Sequence, residues 1–191
     1  DVRNPNRIAL EGQRYKYNYE LNASVITGFA QAQFKYNKVE FFIAASLAST
    51  SYLRSGLYEN GNFLGSLSFG DSDKLNFTTY GIKGGLTYKL SGRHLLEANT
   101  AYFTKAPSLR NSFANARQNN FVVPGLEAQK LQTADFSYIY RSPVIKGRLT
   151  GFYTQIQDAT DIGFFFTEAL FGQSNSPAFV QEILTGINQR H

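Results

Sequence analysis

Residues 76 to 90 read Asn76-Phe77-Thr78-Thr79-Tyr80-Gly81-Ile82-Lys83-Gly84-Gly85-Leu86-Thr87-Tyr88-Lys89-Leu90. Tyr80, Ile82, Leu86, Tyr88 and Leu90 share one parity, and Thr79, Lys83, Thr87 and Lys89 share the other. Successive side chains of an extended chain point to opposite faces, so this stretch is a strand with one greasy and one polar side. No long stretch of the chain has apolar residues at the spacing of an amphipathic helix. The chain therefore reads as all-β.

Working outward, the same split recurs in 39–54, where Val39, Phe41, Ile43, Ala45 and Leu47 oppose Glu40, Ser46, Thr50 and Arg54. It recurs in 26–36, with Ile26, Ala30, Ala32, Phe34 and Tyr36 against Thr27, Gln31, Gln33 and Lys35. Weaker versions occupy 95–104, 130–141 and 145–155, and a seventh strand is expected near 179–190. Phe29, Phe42, Phe103 and Phe152 interrupt the polar side. Residues 13–21 also alternate, either as an eighth strand or as an extension of the first.

The connections alternate strictly between short and long. Turns are expected at Asn37–Lys38, Ser91–His94 and around Ser142–Pro143, and loops over 55–75, over 105–129 and after residue 155. A soluble sandwich has no reason to sort its loops by side. An antiparallel transmembrane β-barrel does, with short periplasmic turns and long extracellular loops. Tyrosines of the greasy face stand at both strand ends: Tyr36, Tyr88, Tyr138 and Tyr140 beside turns, Tyr80, Tyr102 and Tyr153 beside loops. Tyr80 and Tyr88 lie roughly 19 Å apart along the membrane normal for a rise of ~3.3 Å and a tilt of ~45°, close to the height of an apolar band. Charges keep to the polar side, including Lys83, Glu97, Asp135 and Arg148, which are expected to face the lumen. The competing arrangement is a soluble antiparallel sheet whose apolar face packs on another layer.

Composition narrows the classes further. Of 191 residues 42% are hydrophobic and only 17% charged, which fits an ordered domain rather than a disordered chain. No run approaches the ~20 apolar residues of a membrane-spanning helix. Cys is absent and His94 and His191 are the only histidines, so thiolate and imidazole metal sites lack ligands. No G-x-S-x-G, H-E-x-x-H, P-loop or G-x-G-x-x-G pattern occurs, and an enzyme is not expected. Nor is a cofactor. The net charge is +5, but basic residues never run longer than two, so nucleic acid is not the expected partner.

Six strands and part of a seventh cannot enclose a lumen for so many polar residues, and an open sheet leaves two unpaired edges in lipid. The chain is expected to be one part, residues 1–191, of a larger barrel domain, with a small closed eight-stranded barrel as the alternative. The absence of an initiator Met leads to the expectation of a mature product or an excised piece.

Three passages, Tyr80-Gly81-Ile82-Lys83-Gly84-Gly85-Leu86-Thr87-Tyr88-Lys89, Tyr102-Phe103-Thr104-Lys105-Ala106-Pro107-Ser108-Leu109-Arg110 and Gly147-Arg148-Leu149-Thr150-Gly151-Phe152-Tyr153-Thr154, carry a resemblance. In order and spacing they resemble the carboxy-terminal barrel region of TonB-dependent outer-membrane receptors of the Bacteroides-like type, over roughly 20–160. The resemblance implies a barrel of about 22 strands, filled by an amino-terminal plug, that takes up a scarce nutrient at the bacterial outer membrane with energy relayed by TonB. Its partners would be outer-membrane lipid, the remainder of the barrel, the TonB system through a plug not found in these residues, and a small-molecule or oligomeric nutrient. The alternative function is a structural or adhesive outer-membrane barrel binding partners through its loops.

One loop stands out as a recognition element. Residues 105–126 carry Lys105, Arg110 and Arg117 with no acid, together with Asn119 and Asn120, and Arg forks and amides suit an anionic or sugar-like ligand. Phe164, Phe165, Phe166, Leu170 and Phe171 form an aromatic group expected in the next loop, either exposed or folded inward. Glu59 with Asp71 and Asp73, and Asp158 with Asp161, are acidic enough for calcium but lack EF-hand spacing.

Overall fold

The structure, a computed structural model, describes residues 1–167 and 178–191. It is one antiparallel sheet built as a meander: β1 (Tyr19–Tyr36), β2 (Val39–Gly56), a short β3 (Gly70–Asp71), β4 (Leu75–Lys89), β5 (His94–Lys105), β6 (Gln129–Arg141), β7 (Lys146–Thr167) and β8 (Ala178–Arg190). The long strands lie in chain order, and β3 pairs only with the end of β2, through Ser55 and Gly56. Asn37 takes a φ of 51°, a left-handed conformation that Asn tolerates, and closes the β1–β2 hairpin in two residues. The sequence-expected sorting of connections holds for the described residues, with three tight turns at one end of the sheet and the 57–74 and 106–128 loops at the other.

The pairing register carries one alternation unbroken across six strands. Tyr36 stands opposite Val39, Val39 opposite Tyr88, Tyr88 opposite Leu96, Leu96 opposite Tyr138 and Tyr138 opposite Leu149. The next row runs Phe34, Phe41, Leu86, Ala98, Phe136 and Gly151. Directly paired residues project from the same side, so the greasy sets read strand by strand fuse into one face. No layer among the described residues packs on it: Tyr36 is 81% exposed, Leu149 75% and Ile43 51%. The soluble two-layer arrangement is thus not formed within these residues.

β1 pairs only with β2 and β8 only with β7, so the sheet is open, and the small closed barrel is corrected on this point. Strand lengths also differ from expectation. β1 begins at Tyr19, which makes the end of the 13–21 alternation an extension of the first strand, and β7 continues to Thr167, well past 155. Phe164 to Phe166 therefore belong to a strand rather than a loop; Leu170 and Phe171 lie outside the described residues. Two register shifts hide this continuation, between Ile156 and Ala159 and between Ala159 and Asp161. Asp158 (φ 59°) and Gly186 (φ 70°) absorb them in left-handed conformations, as bulges require.

Most buried residues gather on the polar face at the loop end, not on the greasy face. Tyr52, Arg54, Ser112, Phe113, Val123, Thr160 and Ile162 are all buried there. The folded loops supply that core.

Candidate functional site

The 106–128 loop turns inward over the polar face. Ser108 caps a tight turn at Leu109–Ser112, its hydroxyl accepting from the Asn111 amide at 3.2 Å. A small hairpin follows, in which Phe113 pairs with Val122 and the Ala114 amide donates to the Phe121 carbonyl at 2.9 Å. On one side the Tyr52 hydroxyl of β2 donates to the Pro107 carbonyl at 3.0 Å. On the other the Asn111 amide group donates to the Thr160 carbonyl of β7 at 2.8 Å, and Gln181 of β8 donates to the Ala114 carbonyl. β4, β5 and β6 separate β2 from β7 in the sheet, so this loop braces strands that never touch.

Arg54 is the centre of the brace and was not singled out by the sequence beyond its place on the polar side. It is 2% exposed, donates through Nε to the Ala116 carbonyl at 2.8 Å and through Nη1 to the Ser68 carbonyl at 3.0 Å, and also reaches the Asn120 side chain. Its partners are neutral oxygens and the Tyr19 ring, 5.3 Å away.

The five loop residues expected to bind ligand divide into three groups. Asn119 and Asn120 are buried, and Asn120 donates to the Ser66 carbonyl at 2.8 Å while its own amide N–H reaches the Leu67 carbonyl at 2.8 Å. Asn119 accepts from the Phe121 amide at 3.1 Å. These amides pin the two long loops together, because a buried side-chain amide must find partners inside the protein. Lys105 ends β5, paired in register with Gln129. Arg110 and Arg117 alone meet, both exposed, at one cleft of about 910 Å³. Leu109, Phe113, Ile162 and Phe164 form its apolar lining, with Asn115 and Gln118 beside the arginines. The Arg117 guanidinium lies 5.6 Å from the Tyr17 ring centroid. Among the described residues no carboxylate lines the cleft.

Lys83, Glu97, Asp135 and Arg148 share the polar face by register. Arg148 pairs with Glu97 at 3.2 Å and donates to the Ser137 hydroxyl at 3.0 Å, and Asn99 donates to Asp135 at 3.0 Å. Lys83 borders a shallow hollow between Phe29 and Phe103 floored by Ala44, Gly81 and Ala101. Nearer the turns Glu40 sits between Lys35 (3.2 Å) and Lys89. Three of the five acidic residues considered for calcium are engaged elsewhere: Asp158 with Lys130 at 2.7 Å, Asp71 with Ser55 at 2.5 Å, and Glu59 with the Gly65 amide at 2.5 Å.

Neither a family model, nor a curated protein, nor a solved structure matches the chain. The fold is an open antiparallel sheet with one apolar face uncovered by the described residues and one polar face roofed by loops at one end.

Proposed function

We propose that the chain is a wall segment of a TonB-dependent outer-membrane β-barrel transporter that takes up a scarce nutrient. The single observation that carries the reading is the apolar face, continuous over six paired strands and uncovered, since a patch of that extent needs lipid or another apolar layer. The tight turns would then be periplasmic and the long loops extracellular. Lys83, Glu97, Asp135 and Arg148 would face the lumen, where ionised groups keep water. The free edges of β1 and β8 would pair with the remainder of the barrel, because unpaired backbone groups are not tolerated in lipid.

The inward fold of 106–128 favours uptake over the adhesive alternative, whose binding loops would project away from the barrel. In this reading the segment supplies wall and part of a ligand path, and the TonB-driven step belongs to a plug. The test is made on the full-length gene product. Heat-modifiable mobility of outer-membrane fractions is expected, together with a growth defect of the deletion strain on one limiting nutrient. A product found only in soluble fractions would overturn the reading.

A further inference from the structure

We infer that the cleft beneath the 109–118 segment binds an amphipathic anion: a carboxylate or phosphate group held by Arg110 and Arg117, with a ring or chain against Leu109, Phe113 and Phe164. This deepens the uptake reading and rests on it for the cleft's place on a ligand path, but not for its chemistry.

The arguments are geometric and electrostatic. Arg110 and Arg117 are brought to one cleft by the turn and the hairpin that precede and contain them. Neither guanidinium has an ion-pair partner among the described residues. Arg54 adds a third positive charge close by, bonded to the Ala116 carbonyl of the same hairpin, and no ion pair among the described residues offsets it. A concave site with cations and no anion among the described residues concentrates negative ligands. Guanidinium forks suit the oxygens of a carboxylate or phosphate. The other wall is apolar, which a small inorganic ion would leave unused. A volume of about 910 Å³ suits a small organic molecule. The arginines stay on a fixed platform because the turn is bonded to β7 and the hairpin to β2 and β8, which lowers the ordering cost of binding.

The experiment titrates the detergent-purified full-length protein with 1-naphthyl phosphate, 1-naphthoate, neutral 1-naphthol and inorganic phosphate. Both naphthyl anions are expected to bind, and each to outbind naphthol and phosphate. Arg110→Gln with Arg117→Gln should weaken the anions by about tenfold or more at low ionic strength, the worth of charge-assisted hydrogen bonds. The Lys pair at the same positions should keep part of the affinity. Lys105→Gln, outside the cleft, should change nothing. In the unmodified protein, rising salt should weaken the anions and leave naphthol unaffected, which supplies a test even if the Gln pair fails to assemble. Salt-independent binding, or equal affinity of the Gln pair, overturns the proposal while leaving the membrane reading intact. Binding as described by a protein absent from the outer membrane would overturn that reading and leave the cleft standing.

Discussion

Arg54 and Ala116 are joined by a hydrogen bond of 2.8 Å from the buried guanidinium to a loop carbonyl, across 62 positions of sequence. The bond ties the end of β2 to the hairpin that carries Arg117. Removing the guanidinium in Arg54→Ala leaves three oxygens without this donor, the part-buried carbonyl of Ala116 and the buried oxygens of Ser68 and Asn120. A loss of about 3 kcal/mol at the loop end is expected, at the upper range for hydrogen bonds to a charged group. Limited proteolysis should then cut within 106–123 much faster, while heat-modifiable mobility persists. Unchanged protease resistance would show that the brace is not needed.

Gly56 lies under the same loops. A Cβ added there would stand 1.8 Å from the Ser68 carbonyl oxygen and 2.7 Å from Arg54 Nη1. Gly56→Ala should therefore expel the 57–74 loop, costing more than about 2 kcal/mol as overpacking against backbone. Because both changes release the same contacts, the double variant with Arg54→Ala should lose much less than the sum. Simple additivity, measured by urea titration of loop protection, would contradict that coupling.

Leu86 and Thr87 are adjacent but belong to opposite faces. Leu86 stands opposite Phe41 and Ala98, whereas Thr87 stands opposite both Glu40 and Glu97. Leu86→Arg would place a charge on the bare apolar face at ~2 to 4 kcal/mol, the midplane cost in lipid, falling toward the interfaces. Thr87→Arg gains two flanking carboxylates. The first full-length variant should fail to assemble and the second should show normal heat-modifiable mobility. Equal behaviour would count against the assignment of faces.

Phe42 explains one aromatic interruption of the polar side. An added Cβ at Gly85 would meet Phe42 Cε1 at 2.3 Å and Asn99 Oδ1 at 2.3 Å, so the ring covers the bare backbone of the glycine beside it. Gly85→Ala should cost about 1 to 3 kcal/mol by overpacking. Phe42→Ala added to it should recover part of that loss, which a double-mutant cycle on unfolding midpoints would reveal. No recovery would mean that Asn99, rather than the ring, sets the limit.

Alternation by itself determined the strands and their two faces, because a period of two is written in consecutive residues and needs no distant partner. The greasy sets around Tyr36, Leu86 and Phe136 could be read one strand at a time, and the pairing register joined them without a slip. Turn positions were legible for the same local reason. The second half of β7 was not, because the bulge at Asp158 falls in a polar run where alternation has little contrast. The loop residues were legible only as chemistry. Nothing local distinguishes Asn120, buried against Ser66 and Arg54, from Arg117 in the open cleft. Tertiary structure decided which side chains serve the brace and which face the cleft, since that depends on contacts between segments 49 to 66 positions apart.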